Sequence, residues 1–177
     1  MEEDVVRDID VLCEAYYRDV YQFCLYFTNN KNDAEDLTQE TFVKVLNGLS
    51  HFHHRAKVKT WILSIAKNTA IDHYRRKKII KFLPEIFINE RMTESGVPDE
   101  VYRVKEEWQE VEIALISLKP LYRNVIILKG IQELSNKETA EILGCNETKV
   151  RVTFHRAIKQ LHTKLSMPER GYFHHGR

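Results

Sequence analysis

The side chains of this 177-residue chain that could do chemistry are cations, hydroxyls and flat rings rather than nucleophiles. Between positions 148 and 159, Thr148, Lys149, Arg151, Val152, His155, Arg156 and Lys159 offer donors at short, regular intervals. Such groups bond phosphate oxygens and base edges, and an apolar Val152 among them could meet a thymine methyl. A second set is His51-Phe52-His53-His54-Arg55 followed by Lys57, Lys59, Thr60 and Trp61. Rings interleaved with cations are what holds unstacked single-stranded bases. Trp61 also reads as core, since it lies beside Ile62 and Ile65. The His trio could bind a metal, but no Cys or paired carboxylate sits at ligand spacing nearby. A third set, Asp33, Glu35, Asp36 and Glu40, is one-sided surface charge suited to a protein contact rather than to an acid/base pair. A Gly-rich phosphate loop, His-Glu-x-x-His and Gly-x-Ser-x-Gly are all missing from the sequence.

The elements that must position these groups are helical. Residues 134–165 carry a helix-turn-helix pattern. Leu134-Ser135-Asn136-Lys137-Glu138 is a capping box, in which Ser135 accepts from the Glu138 amide and the Glu138 carboxylate reaches back. The first helix runs to Leu143, Gly144 supplies a left-handed turn, and Asn146 caps the second helix. Ala140 is small where the helices cross, and Val150 reaches back into the crossing. With Val150 at 0° and about 100° per residue, Phe154, Ala157, Ile158, Leu161 and Leu165 fall between about −20° and 80°. Thr148, Lys149, Val152, His155, Arg156, Lys159 and Thr163 fall on the opposite side, at about 140° to 260°.

Upstream, residues 9–28 place Ile9, Leu12, Tyr16, Val20, Phe23 and Phe27 three or four apart, which predicts a helix. After Asn29-Asn30-Lys31-Asn32, a second helix is predicted from near Asp33, with Ala34, Leu37, Phe42, Val45, Leu46 and Leu49 as its apolar stripe. His51–Lys59 reads as a loop, and Thr60 as the cap of a helix from Trp61 to about Lys78. Thr93-Glu94-Ser95-Gly96-Val97-Pro98-Asp99 has no periodicity and reads as part of a linker. Helical spacing resumes near Val104. Lys119-Pro120 marks a boundary, and Leu121, Val125, Ile126 and Leu128 make the next stripe. The tail from Pro168 reads as frayed. The predicted organisation is all-α, with two small helical domains at 1–81 and 106–177 joined by an acidic linker at 82–105.

Composition sets the outer bounds. Hydrophobic residues at 43% and charged residues at 30% describe a globular chain, and six Gly with four Pro argue against a turn-dense β fold. No run approaches the roughly 18 consecutive apolar residues of a membrane span. Met1-Glu2-Glu3-Asp4 does not read as a signal peptide. Cys13, Cys24 and Cys145 lack metal-ligand spacing and read as reduced thiols in a cytoplasmic protein. The 27 Lys+Arg against 26 Asp+Glu give a net charge of +1, yet that charge is segregated. Residues 1–50 carry −7, residues 51–81 carry +8, residues 82–117 carry −6 and residues 118–177 carry +6. Two basic blocks predict two patches for a polyanion, with acidic surfaces left for another partner.

Taken in order, these motifs resemble the extracytoplasmic function (ECF) group of bacterial RNA polymerase sigma factors, over roughly residues 10–165. Asp33-Ala34-Glu35-Asp36-Leu37-Thr38-Gln39-Glu40-Thr41-Phe42 resembles the region 2.1–2.2 helix that grips the β′ coiled coil of the polymerase. The resemblance implies polymerase contacts for Asp33, Asp36, Gln39 and Glu40. Lys59 through Asn68, Asp72 and Arg75-Arg76 resembles regions 2.3 and 2.4, which open and read the −10 element. This implies −10 roles for Phe52, His53, His54, Arg55, Lys57, Lys59, Trp61, Lys67, Asn68, Arg75 and Arg76, with Asn68 lining a pocket for a flipped base. Leu118 to Val125 resembles the start of region 4, and Leu134 to Leu161 its −35-reading helix-turn-helix. This implies −35 roles for Thr148, Lys149, Arg151, Val152, His155, Arg156 and Lys159. Two departures stand out. Phe52-His53-His54-Arg55-Ala56 lacks the glycine common in that loop, and Thr148-Lys149-Val150-Arg151-Val152-Thr153 replaces the common Gly-Thr-Val-Lys-Ser-Arg.

The resemblance implies a non-enzymatic initiation factor without cofactor or small-molecule substrate. Its implied partners are core polymerase (β′ coiled coil and β flap), promoter DNA and a membrane-associated anti-sigma factor. An ordinary helix-turn-helix regulator with an N-terminal effector domain is the alternative, and a His-cluster metalloenzyme is a second.

Overall fold

The computed structural model describes residues 2–49, 52, 57–81 and 109–165. The loop residues His51 and His53–Ala56, the predicted linker at 82–105 and the tail after Pro168 lie outside the described residues. Among the described residues every element is helical. Helices α1 (Glu2–Thr28), α2 (Lys31–Gly48) and α3 (Val58–Lys81) form the first unit. The second comprises α4 (109–116), α5 (Pro120–Ile126), a π-helical turn (Ile127–Ile131), α6 (Asn136–Leu143) and α7 (Glu147–Lys164).

The first unit closes on Val20, Phe23, Phe27, Ala34, Leu37, Val45, Ile62, Leu63, Ala66 and Ala70, all buried. The large side chains among them each contribute about 1.5–3 kcal/mol by leaving water. Thr38 and Thr41 also enter this core, because each hydroxyl donates to the carbonyl four residues back, Ala34 and Leu37, at 2.6 Å. The α2 stripe is therefore rotated from the predicted one, and Leu46 is 44% exposed instead of buried. The helix begins at Lys31, not near Asp33, since Asn30 is extended and its side chain accepts from the Asp33 amide at 2.9 Å. Thr60 is likewise no cap. It is buried in the first turn of α3, which starts at Val58, and the Trp61 amide already bonds the Lys57 carbonyl at 3.0 Å.

The second unit packs Leu115, Leu118, Val125, Ile127, Leu128, Ile142, Val150, Ala157 and Leu161 into its core. Pro120 stands at the first turn of α5, where its missing N–H costs nothing. Arg123 and Asn124 are buried there together with Val125 and Ile126, while Leu121 faces solvent, contrary to the predicted stripe. The π turn that follows was not foreseen. It carries the backbone to Gln132, whose amide donates to the Ile127 carbonyl at 2.8 Å.

Candidate nucleic-acid and polymerase interface

The recognition helix is set by its neighbours. Ser135 accepts from the Glu138 amide at 3.2 Å, and Glu138 accepts in return from the Ser135 amide at 3.0 Å, which completes the capping box. Gly144 takes φ 64, and its amide bonds the carbonyl of Glu141 at 3.3 Å to end α6. Asn146 then accepts from the Lys149 amide at 2.8 Å to start α7. Val150 and Ala157 are fully buried on one side of α7. Thr148, Lys149, Arg151, Val152, His155, Arg156 and Lys159 are all exposed. The structure thus brings the seven predicted −35 residues onto one solvent-facing surface. Val152 is 44% exposed amid the polar groups, and Arg151 Nη2 donates to Thr148 Oγ1 at 3.4 Å.

The predicted −10 set is spread along α3 and is partly neutralised within the chain. Lys57 pairs with Glu138 at 2.8 Å, Lys59 with Asp19 at 2.9 Å, Arg75 with Asp72 at 3.7 Å and Arg76 with Glu40 at 3.6 Å. Burial pulls the Lys67 amine below the usual lysine value, although Asp72 acts in the opposite sense. Asn68 is exposed one residue on. The Trp61 ring is half-buried and stacks on Phe52, with centroids 4.6 Å apart and planes 29° apart. Its other neighbour is Gly48, where an added Cβ would stand 3.2 Å from Trp61 Cζ2. Trp61 is therefore both core and covered by Phe52, not an open stacking platform. His53, His54 and Arg55 lie outside the described residues.

The acidic α2 face divides into two. Asp33 accepts from Lys77 Nζ and lies 3.5 Å from His73 Nε2. Glu40 pairs with Lys44 at 2.8 Å as well as with Arg76, and these contacts, Lys44 first, hold its carboxyl below the usual value. These two acids brace α2 against α3. Asp36 and Gln39 instead face solvent. They share that surface with two residues the sequence reading did not assign to it, Val43 at 58% exposure and Leu46 at 44%. The spacing 36, 39, 43, 46 is one helical stripe, so the signal was present but was masked by treating Leu46 as core.

Among the described residues no group of three or more His, Cys, Asp or Glu could hold a metal ion, and no helix is long and apolar enough to cross a membrane. The cysteine thiols are free, and burial pushes Cys24 up to about 12.

Comparison with known proteins gives these surfaces a context. Sigma-70 region 2 matches residues 12–79, and Sigma-70 region 4 matches residues 108–161. The ECF RNA polymerase sigma factor SigX of Bacillus subtilis (strain 168) is 37% identical over 161 residues, covering 89% of this chain and 83% of that protein. RNA polymerase sigma factor YlaC of the same organism is 37% identical over 155 residues, covering 86% of this chain and 89% of its own. The sigma factor RpoE of Bartonella quintana, solved in complex with the anti-sigma factor NepR, superposes with a TM-score of 0.71. It is 22% identical, and the match covers 92% of this chain and 99% of that one. The first unit matches sigma region 2 rather than an effector domain, which decides against an ordinary helix-turn-helix regulator. With its two helical units and its recognition helix in the order and over the span of these relatives, this chain belongs to the ECF group of sigma-70 RNA polymerase sigma factors.

Proposed function

We infer that this sigma factor binds core RNA polymerase through the α2 stripe Asp36, Gln39, Val43 and Leu46, and directs initiation by reading two promoter elements. The observation that carries the reading is the α7 surface. Seven DNA-suited side chains stand exposed on one face, while the opposite face is locked into the core by Val150 and Ala157. Arg151 and Arg156 suit bidentate contacts to guanine, Lys149 and Lys159 suit phosphates, and Val152 suits a thymine methyl. On α3, Lys67 and Asn68 stand where a flipped −10 base would be received. Extruding that base costs a few kcal/mol of stacking, and the pocket has to offset it. Trp61 joins that pocket only if Phe52 moves aside.

Domain limits at 1–81 and 106–177, with 82–105 running between them, follow the two matched regions. Asp33, Glu40 and Arg76 serve this reading indirectly, by holding α2 against α3. The exposed apolar residues Ile113, Ile116 and Leu121 of the second unit suit the β flap. The chain works in the cytoplasm, catalyses no reaction itself, and is restrained by a membrane-associated anti-sigma factor.

In vitro transcription with core polymerase on fragmented genomic DNA tests the whole reading. The expected result is a small set of discrete start sites sharing two upstream elements. Start sites identical to those of core polymerase alone would defeat it.

A further inference from the structure

One buried charge belongs to neither DNA surface. Arg123 is only 5% exposed and sits where the two units meet. Its Nη1 donates to the Phe27 carbonyl at 2.7 Å, and its Nη2 donates to the carbonyls of Leu118, at 3.1 Å, and Ile116. Its guanidinium carbon lies 4.9 Å from the Phe27 ring centroid and 5.7 Å from that of Tyr74. Phe27 is among the last residues of α1, whose final carbonyls have no intrahelical partner; Ile116 and Leu118 stand in the same relation to α4. Each helix end carries about half a negative charge, so one cation caps two helices of two different units. Two further contacts cross the same seam. Gln132, presented by the π turn, donates to the Asp19 carbonyl at 3.0 Å and approaches Gln22 Oε1 at 3.4 Å. Lys57 pairs with Glu138, and α6 packs directly on α3.

This arrangement conflicts with promoter reading, on which the present inference rests. Elements centred at −10 and −35 lie about 25 base pairs apart, or about 85 Å along B-DNA. A chain whose α6 touches α3 cannot engage both. The first helix of a helix-turn-helix also crosses the DNA backbone when the second reads bases, and here that first helix is turned onto α3. The seam is suited to opening. The guanidinium is compensated by carbonyls and ring faces, and its Nε atom has no hydrogen-bond partner. A buried charge left partly unsatisfied is costly, and water would satisfy it on separation.

We propose that the free chain is self-docked, with Arg123 as a latch that caps α1 from the second unit and holds α6 over the −10-reading helix α3, and that core polymerase releases this latch on binding. The device needs no anti-sigma factor.

Zero-length crosslinking of the full chain tests it. A carbodiimide activates a carboxylate, a neighbouring amine displaces the resulting urea, and an amide bond remains. In the free chain, peptide mass spectrometry should find Lys57 joined to Glu138 across the seam, and Lys59 joined to Asp19 within the first unit as a control. On core polymerase the first amide should disappear while the second persists. Gln132→Ala, which loses only contacts across the seam, should lower the Lys57–Glu138 yield about threefold without changing the control. Arg123→Gln should lower it further. Absence of the Lys57–Glu138 amide from the free chain while the control forms would overturn the latch, as would its full retention on polymerase. A chain that yields the amide but never binds core polymerase would leave self-docking in place and defeat the sigma reading beneath it.

Discussion

Arg151 and Asp36 represent the two kinds of residue on which the assignment depends, one facing DNA and one facing protein. Arg151→Ala removes a side chain that is exposed and bonded only within its own helix turn. Folding should be unaffected, whereas −35-dependent transcription should fall by the equivalent of about 1–3 kcal/mol, roughly 5- to 150-fold. Core polymerase binding by the same variant, measured by co-purification, should be unchanged. On α2, the structure separates two acids that the sequence placed together. Asp36→Lys should weaken polymerase binding with little change in thermal stability. Glu40→Lys should instead lower stability, because it sets three cations, Lys44, Arg76 and the new lysine, against one another. Equal effects of the two substitutions on both measurements would erase the distinction between docking and bracing acids.

At the scale of elements, the helix-turn-helix depends on two caps and one turn. Ser135→Ala should cost about 1 kcal/mol in chemical denaturation by removing the N-cap of α6. Glu138, the other half of that box, is held down to about 2 from an ordinary 4.5 by Lys57 first and then by Ser135. A carboxylate whose folded value is depressed stabilises fully above its unfolded value. Its contribution is lost as pH falls through the folded one. Stability of the full chain should therefore be insensitive to this group above about pH 4.5 and decline between there and about pH 2. Glu138→Gln should flatten that part of the profile in a pH series of thermal melts. The capping box, Gly144 and Asn146 were all legible in the sequence because each acts on backbone within four residues of itself. The π turn was not, since nothing in Ile127–Ile131 distinguishes it from a continuing helix until Gln132 finds its partner on α1.

For the whole molecule, the net charge of +1 is the least informative number. The blocks of −7, +8, −6 and +6 are better read as matched surfaces, and the structure joins parts of them directly. Glu40 meets Arg76, Asp33 meets Lys77 and Asp19 meets Lys59, so a share of the +8 block is spent inside the first unit. Phosphate affinity scales with the number of cations available to release counterions. The isolated chain should accordingly bind a duplex promoter fragment weakly at physiological salt and gain affinity and specificity once polymerase is added, as read by fluorescence anisotropy. Tight, specific binding by the chain alone would contradict both the internal pairing and the closed arrangement.

Sequence alone determined the all-α class, the helix-turn-helix, the buried and exposed sides of α7 and the family, because periodicity, capping and turn chemistry are short-range. It placed the −35 set on a single face for the same reason. Tertiary structure alone decided that Phe52 covers Trp61, that Asp33 and Glu40 serve α3 rather than solvent, that Leu46 joins an exposed stripe, and that Arg123 is a buried cap between two units. Each of those outcomes depends on a partner at least nine positions away in the chain, and a lone arginine after a proline carries no mark of the helix end, ninety-six residues upstream, that it will close.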